Sequence, residues 1–317
     1  MQMSRKDKRV LVVGRAGMDL YAEPVGTSIE NANNFKSQLG GSAANIAAGL
    51  SAQGVKVNLL AGISNDAIGK FVKNSCNRLG IGTELLETIP KARNTLAIVD
   101  TMGESTQAII YRNSPADLFL KQEVVDRIDL NRYEMLVTTG TALTEDPSRS
   151  AILKLMKNAK EKELEIIFDI DYRELTWKHK KEAEEILLLA AGYADIVVGN
   201  ELEFNFMSKA DSGGRSLAAQ LTNSGYKISI YKMGSKGLYY FCHGKEKFVG
   251  SFQVNSIKPT GAGDGFLAGF CASKINGMPL EESIVFGSAM GAIVVTKVGC
   301  SEAMPDKVQV EEFLNIN

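Results

Sequence analysis

Histidine is scarce in this chain, with two residues among 317. His179 lies in a charged run from Lys178 to Glu185, and His243 lies in a turn between two predicted strands. So few imidazoles all but exclude a His-rich metal centre and argue against acid–base catalysis by histidine. The chemistry therefore has to use carboxylates, lysines, arginines or backbone amides.

Cysteines and long hydrophobic runs are also sparse. The basic start from Met1 to Arg9 precedes a short apolar stretch, too short for a signal peptide, and no run approaches the ~18 apolar residues of a membrane span. The four cysteines are widely spaced without a Cys-x-x-Cys pair, which indicates free thiols rather than disulfides or a metal site. We therefore expect a soluble, cytoplasmic protein without a membrane partner. The cysteines are Cys76, Cys242, Cys271 and Cys300.

The chain contains 36 Lys and Arg and 37 Asp and Glu, so neither sign of charge is in excess. A nucleic-acid partner would require a concentrated positive field and is not expected. Hydrophobic residues at 44% and charged residues at 23% are ordinary globular values, and the length suits one large α/β domain with a small appendage.

What the sequence does contain is a repeated alternation of strands and helices. This alternation predicts a mainly parallel sheet covered by helices on both faces. Segments 14–38 and 95–111 fit the repeat poorly and predict an accessory β element, the second of them as a hairpin. Strands are predicted at 10–13, 55–61, 135–139, 165–171, 195–198 and 227–233, with a further hairpin at 237–254. Helices are predicted at 43–53 (capped by Ser42), 66–79, 147–162, 177–190, from 201, 216–222, 263–276 and 280–296.

Two common nucleotide motifs are absent. Gly69-Lys70 is followed by Phe71, so it is not a P-loop, and Gly14-Arg15-Ala16-Gly17 lacks the spacing of a dinucleotide fingerprint. The most informative segment is instead Gly261-Ala262-Gly263-Asp264, in which small residues lead from a loop into a helix. Their amides can form an anion hole beside a carboxylate that accepts a proton from an attacking hydroxyl. The alternative is a helix-capping Asp after a flexible loop.

Three further motifs contain glycine or carboxylates at element ends. Gly40-Gly41 with Asn45 opens a helix and would allow a ligand close to the backbone, although tight helix packing explains it equally. Asn200-x-x-Glu203 follows a buried strand, where Glu203 could hold Mg²⁺ through water. Met233–Gly237 again places glycines after a strand. A solvated turn is the alternative for the last two.

Taken in order, these four motifs resemble the signatures of the ribokinase-like (PfkB) carbohydrate kinases over essentially the whole chain. The resemblance implies a three-layer α/β/α sandwich with a mainly parallel central sheet and a small β-sheet lid. It implies a single kinase domain over 1–317, with lid strands from about 15–38 and 94–112. It also implies transfer of the ATP γ-phosphate to a sugar hydroxyl, with ATP and Mg²⁺ as cofactors and, through the lid, a possible homodimer.

The resemblance further implies a role for each matching residue. Asp264 matches the family's catalytic base, and Gly261, Ala262 and Gly263 match the family's anion hole. The residues that match sugar binders are Asp19, Gly40, Gly41 and Asn45. The residues that match the nucleotide side are Asn200, Lys232, Gly234, Gly237 and Ser288, with Glu203 holding Mg²⁺ through water.

Within the family, several segments resemble the 5-dehydro-2-deoxygluconokinases, whose substrate is a keto-deoxy aldonic acid. They are Gly14–Tyr21, Tyr111-Arg112, Phe168–Arg173 and Lys258-Pro259. Guanidinium groups match a carboxylate bidentately, so Arg112 and Arg173 are the candidates for binding the acid, against the alternative of two surface arginines. A 2-dehydro-3-deoxygluconate kinase, a neutral-sugar kinase such as ribokinase or fructokinase, and a non-enzymatic pseudokinase remain alternatives.

The chain also departs from the family pattern. The usual motif reads Asp-Thr-x-Gly-Ala-Gly-Asp, and here Lys258-Pro259 replaces Asp-Thr. That Asp commonly helps to form a monovalent-cation site, which leaves K⁺ open as a cofactor. We hypothesise that the ammonium of Lys258 partly substitutes for the ion. Lys232 likewise stands where the family often has Thr.

Overall fold

The structure, a computed structural model, describes residues 9–103, 106–208, 213–223, 227–258 and 260–317. Its contacts divide the chain into two compact units. Unit 1 comprises Met1–Phe119 and Phe252–Asn317, and unit 2 comprises Leu120–Ser251. Across these described ranges, no helix is both long and apolar enough to cross a membrane.

Strands and helices alternate along most of the chain. The strands are β1 (Arg9–Val13), β2 (Gly17–Glu23), β3 (Asn34–Gly40), β4 (Lys56–Ser64), β5 (Leu86–Ile89), β6 (Thr95–Val99), β7 (Ala108–Tyr111), β8 (Met135–Thr139), β9 (Glu165–Asp169), β10 (Ile196–Asn200), β11 (Ile228–Lys232), β12 (Leu238–Cys242) and β13 (Lys245–Val249). The helices are α1 (Ser42–Ala52), α2 (Ala67–Arg78), α3 (Gln122–Asp126), α4 (Ser148–Glu161), α5 (Lys180–Tyr193), α6 (Glu201–Met207), α7 (Gly214–Asn223), α8 (Ala262–Ile275), α9 (Leu280–Val295) and α10 (Lys307–Ile316).

Unit 1 contains a parallel set of strands and a small second sheet. The parallel set runs β1-β4-β5, and its first strand is an all-apolar run buried from Val10 to Val13, as the sequence predicted. The small sheet has the order β3-β2-β6-β7, in which β2 and β6 are parallel and the other pairs antiparallel. The predicted accessory β element is thus confirmed, and so is the hairpin at 95–111; Glu104 and Ser105 of its turn lie outside the described residues.

Unit 2 contains a sheet with the strand order β13-β12-β11-β10-β9-β8. The pairs from β8 to β11 are parallel, and β12 and β13 form the predicted antiparallel hairpin. Because the parallel strands share one direction, the carboxyl ends of β9, β10 and β11 lie at one edge, with Asn200 opposite Lys232. Polar residues at these ends are therefore brought together.

Several predicted boundaries are wrong for identifiable reasons. The N-cap of α1 is Gly41 rather than Ser42, since the chain needs a φ of 97° there and Ser42 is already helical. The strand predicted over 165–171 ends at Asp169, because Asp171 has a positive φ of 35°. The helix predicted from 177 begins at Lys180. The short elements β5 and α3 and the terminal α10 were not predicted.

Candidate active site

The loop before α8 turns into the helix at Gly261. This residue is the N-cap, with a φ of 87° in the left-handed region. A Cβ here would lie 2.8 Å from the Cys300 sulfur, so both the conformation and the space require glycine. The amides of Ala262 and Gly263, in the first turn, have no acceptor four residues back within the helix and can bind an anion together with the helix dipole.

Asp264 lies in the first turn of α8, where the dipole favours an ionised carboxylate. Its Oδ2 accepts a hydrogen bond from Asn45 Nδ2 at 2.8 Å. This bond joins two glycine motifs whose residues are 219 positions apart. Asn45 Oδ1 is buried and has no hydrogen-bond partner among the described residues. Because buried acceptors are almost always satisfied, this oxygen is suited to a ligand hydroxyl.

Close packing around the Asp19 carboxylate explains the glycine pair that precedes α1. A Cβ at Gly40 would lie 2.0 Å from Asp19 Oδ1, and one at Gly41 would lie 2.5 Å from the Arg15 carbonyl oxygen. Burial raises the pKa of the Asp19 carboxyl above its ordinary 3.8, against the opposing effects of Arg15 and the Tyr21 hydroxyl. The structure thus brings together the residues that the sequence assigned to sugar binding.

Two neighbours of Asp19 also carry unsatisfied polar atoms. Gln38 lies opposite Asp19 in the β2–β3 register, and its buried Oε1 accepts no hydrogen bond from the described residues. Arg15 Nε is likewise buried without an acceptor there. Together with Asn45 Oδ1, these atoms offer one donor and two acceptors in a buried region, which is the composition of a site for a hydroxyl-rich ligand.

A buried lysine contacts the same loop. Lys258 is 3% exposed, its ammonium donates a hydrogen bond to the Thr260 carbonyl, and it lies 3.8 Å from the Cys300 sulfur. The Tyr21 hydroxyl links the cysteine to Asp19, at 3.4 Å from Cys300 Sγ and 3.3 Å from Asp19 Oδ2. These contacts define a buried polar cluster at the base of the anion loop.

In unit 2, Asn200 and Glu203 are held by their own helix terminus. Asn200 Oδ1 accepts from the Glu203 amide at 3.0 Å, and Glu203 Oε2 accepts from the Asn200 amide at 2.7 Å, which is a capping box. The local sequence thus explains why this motif folds as it does. One oxygen of the Glu203 carboxylate caps the helix, and the other is outside the box.

Three buried carboxylates cluster at the carboxyl ends of these strands, and they belong to Asp169, Asp171 and Glu203. The Lys232 ammonium lies 3.7 Å from Asp169 Oδ1, an atom that accepts no hydrogen bond within the described residues. Burial, followed by the charge of Asp169, raises the pKa of Glu203 from 4.5 to about 7. The Asp171 carboxylate is paired with Arg173 and the Asp169 carboxylate lies near Lys232. Among the described residues, no group of three or more His, Cys, Asp and Glu side chains is arranged to hold a metal ion, so Glu203 as the residue that holds Mg²⁺ stays a prediction.

The remaining nucleotide-side residues lie in separate elements. Gly234 and Gly237 have φ values of 60° and 101°, and a Cβ at Gly237 would lie 2.3 Å from the Val249 carbonyl oxygen. Gly237 therefore shapes the β11–β12 turn. Ser288 belongs to α9 in unit 1, where its hydroxyl donates to the Ile284 carbonyl at 2.9 Å.

The two arginines proposed for a substrate carboxylate differ in environment. Arg112 Nη2 lies 2.5 Å from Asp117 Oδ2 in an ion pair whose side chains are 7% and 1% exposed. Arg173 is 61% exposed, and its Nε lies 3.2 Å from Asp171 Oδ1. Neither is an unengaged surface residue, and Arg112 already has a buried carboxylate partner.

Sequence reasoning missed several polar residues of these sites. Gln38 and Tyr21 lie on the small sheet, whose strands 17–23 and 34–40 were not resolved individually. Cys300 follows α9 in a segment without any motif, so no sequence signal could have found it. Asp169 and Asp171 carried a signal, since both follow a buried apolar run at a strand end. In the sequence analysis, however, their segment serves only as a point of family resemblance and not as a predicted site.

The chain is similar to known proteins over nearly its whole length. The family described as pfkB family carbohydrate kinase matches residues 7–307. A 5-dehydro-2-deoxygluconokinase of Photobacterium profundum is 36% identical, over 96% of this chain and 94% of that protein.

Solved structures extend the likeness to the fold. A fructokinase double mutant from Vibrio cholerae O395, in a fructose-, ADP- and potassium-bound form, matches with a TM-score of 0.87 at 23% identity, covering 97% of this chain and 98% of that chain. A putative ribokinase II from E. coli with ATP and Mg²⁺ matches with a TM-score of 0.86 at 21% identity, covering 98% of this chain and all of that chain. These matches confirm the predicted ribokinase-like α/β fold.

Proposed function

Since the chain belongs to the pfkB family of carbohydrate kinases and is an ATP-dependent sugar kinase, we propose that it phosphorylates a primary hydroxyl of a keto-deoxy aldonic acid. Our first candidate for the acceptor is 5-dehydro-2-deoxygluconate, the substrate class named for the 36% identical relative.

One observation carries the proposal for the chemistry: the Asp264 carboxylate lies at the start of α8 beside the glycine loop and is held there by Asn45. In this mechanism, Asp264 takes the proton from the sugar hydroxyl as the hydroxyl oxygen attacks the γ-phosphorus, the bond from that phosphorus to the β,γ-bridging oxygen breaks, and ADP leaves. The amides of Gly261–Gly263 bind the transferring phosphoryl group and stabilise the negative charge on its oxygens. Asp19, Asn45 and the glycine pair before α1 orient the sugar hydroxyls.

The nucleotide-side proposal rests on the carboxylate cluster of unit 2. Asn200, Lys232, Gly234, Gly237 and Ser288 bind ATP, and Glu203 holds Mg²⁺ through water. When bound, Mg²⁺ neutralises part of the phosphate charge. In the E. coli ribokinase II structure the ligands are ATP and Mg²⁺, which supports this choice of cofactors.

The acid-sugar assignment has a specific rival. Arg112 already has Asp117 as a buried partner, and the Vibrio fructokinase structure holds a neutral sugar, fructose. Both observations favour a neutral-sugar kinase as the second candidate. A 2-dehydro-3-deoxygluconate kinase is a further alternative, since its substrate is also an acid sugar. We further propose a cytoplasmic enzyme, consistent with four unbridged cysteines, that forms a homodimer through the small sheet.

A substrate panel with an ADP-coupled assay tests the proposal. We expect kcat/KM to be highest for 5-dehydro-2-deoxygluconate and lower for 2-dehydro-3-deoxygluconate, ribose and fructose. A preference for fructose or ribose would establish the neutral-sugar candidate. No ADP formation with any sugar, by protein that binds ATP, would establish a pseudokinase.

Two arginine variants refine this assay. Arg112→Lys keeps the charge beside Asp117 and removes the bidentate geometry, and Arg173→Ala removes an exposed side chain. Each should raise KM for acid sugars about tenfold while leaving KM for fructose nearly unchanged. Arg78→Ala, at an exposed pair with Glu302, is the matched control and should change neither.

A further inference from the structure

The loop that binds the anion contains a fixed cation of its own. The Lys258 ammonium donates to the Thr260 carbonyl, one residue before the N-cap of α8. It also lies 3.3 Å from the point that a Cβ on Gly261 would occupy. The lysine therefore contacts the loop from inside the protein, and its side chain reaches the backbone that sets the direction of the helix amides.

The ammonium of Lys258 has the Thr260 carbonyl and the Cys300 sulfur as hydrogen-bond neighbours, and the carboxylates of Asp264 and Asp19 lie within electrostatic range. Burial lowers the pKa of Lys258 from 10.5, and Cys300, Asp264 and Asp19 oppose that shift. Tyr21 completes the group through Cys300 and Asp19. A lysine buried at this cost is retained where its charge has a use.

The site does not fit a monovalent metal cation. In the family pattern position 258 is an Asp, which would supply an anionic oxygen to K⁺, and the Vibrio fructokinase structure contains potassium. Here that position carries an ammonium, and the ammonium already donates to the Thr260 carbonyl. A metal cation next to Lys258 would meet a like charge in a buried space.

We propose that the Lys258 ammonium is a tethered replacement for a monovalent cation, which holds the Thr260–Gly263 loop in its anion-binding shape and adds positive charge to it. Lys258 is thus a positioning residue for phosphoryl transfer, and the proposal rests on the kinase function given above. Because the charge is covalently attached, the enzyme needs no K⁺ for full turnover.

The first test uses the unmodified enzyme. Turnover is measured across a titration of K⁺ against tetramethylammonium at constant ionic strength, with the best sugar of the panel. We expect less than about twofold change in kcat, since the tethered ammonium already supplies the charge. Activation by K⁺ of about fivefold or more would overturn the proposal while leaving the kinase function intact. Absence of activity under all conditions would instead count against the function.

The second test removes the ammonium. Lys258→Ala should lower kcat about 100-fold with KM for ATP changed much less, because the loop loses a charge that acts in the transition state. Ammonium, ethylammonium or K⁺ should restore turnover at least about tenfold by entering the space left by the side chain. Lys307→Ala, at an exposed lysine of the same unit, should show neither the loss nor the rescue.

A third readout does not depend on activity. In thermal unfolding, K⁺ should stabilise Lys258→Ala relative to tetramethylammonium and leave the unmodified protein unchanged. A folded Lys258→Ala protein that keeps its turnover, or one that no cation restores or stabilises, would overturn the proposal. If the variant does not fold, the K⁺ titration of the unmodified enzyme still decides.

Discussion

Each unit of the molecule places a lysine among buried polar groups, and the two lysines differ in burial and in surroundings: Lys232 is half-buried and Lys258 is buried. Lys232 in unit 2 lies 3.7 Å from Asp169 and within a cluster of three buried carboxylates. Lys258 in unit 1 donates to a carbonyl and lies near a thiol, with Asp19 and Asp264 acting at longer range. The first lysine lies beside carboxylates, and the second lies beside the backbone of the loop that leads into α8.

This difference is the basis on which we divide the proposed roles. We assign the carboxylates of unit 2 to the side of the Mg²⁺–nucleotide complex. We assign the loop before α8, with its amides and the Lys258 ammonium, to the transferring phosphoryl group. Changes in unit 1 should therefore act on kcat, and changes in the unit 2 cluster should act on KM for MgATP.

The largest effect is expected for Asp264→Asn. Asparagine preserves the size of the side chain but cannot accept the proton of the sugar hydroxyl, so kcat should fall about 100-fold or more. Thermal unfolding should be nearly unchanged. Steady-state kinetics with the preferred sugar measure the effect, and near-normal kcat would refute Asp264 as the base.

Glu203→Gln, in unit 2, is expected to act on KM for MgATP rather than on kcat. Glutamine can keep the capping box with Asn200, so the variant removes charge and leaves α6 intact. KM for MgATP should rise about tenfold, with KM for the sugar unchanged. If kcat fell while KM for MgATP stayed the same, Glu203 would act in the phosphoryl-transfer step rather than in metal binding.

The raised pKa of Glu203 predicts a pH dependence of stability in the metal-free protein. Between its ordinary pKa of 4.5 and the folded value of about 7, the folded state keeps a proton that the unfolded chain has lost. The contribution of the Glu203 carboxyl to the free energy of unfolding is therefore full at low pH. It falls as pH rises, by about 1 kcal/mol between about pH 6 and about pH 7. Urea unfolding in a chelator measures it.

The same experiment on Glu203→Gln provides the control. Glutamine does not titrate, so the variant should show a flatter profile across this range than the unmodified protein. Identical slopes for the two proteins would mean that the Glu203 carboxyl is not the group responsible.

The smallest effect is expected for Ser288→Ala. Ser288 is the nucleotide-side residue that lies in unit 1, and its hydroxyl is engaged by the Ile284 carbonyl within α9. KM for ATP should change less than about twofold, since an intrahelical hydroxyl contributes little to a ligand. A larger increase would show that the Ser288 hydroxyl contributes more to ATP binding than its bond to Ile284 allows, and would weaken the division.

The sequence predicted the buried strands and the motif positions well, because both depend on local signals. Val10–Val13 is apolar throughout, and Gly261 is the residue type that a left-handed N-cap needs. The family resemblance then brought motifs such as Asn45 and Asp264 into one site, which local pattern could not do. Their 2.8 Å contact is a property of the folded chain.

What could not be predicted depends on contacts between distant residues or on backbone geometry. Cys300 is a lone thiol in sequence and becomes part of the Lys258 cluster only when its segment packs against the loop. Nothing in the sequence indicates that Arg112 forms a buried ion pair with Asp117. This pair occupies hydrogen-bond donors of the guanidinium that a substrate carboxylate would otherwise use. The start of α1 was misplaced because Ser is a common N-cap, whereas the close approach of the Arg15 carbonyl required glycine at 41.

The discontinuity of unit 1 has a consequence for the order of synthesis. Asn45 emerges from the ribosome 219 residues before Asp264, and the segment between them includes the whole of unit 2. The carboxylate cluster is encoded in one continuous stretch, so a nascent chain can complete it early. Asn45 and Asp264, in contrast, can come together only after α8 has been made. A chain truncated before Phe252 is therefore expected to retain the cluster and to have no kinase activity.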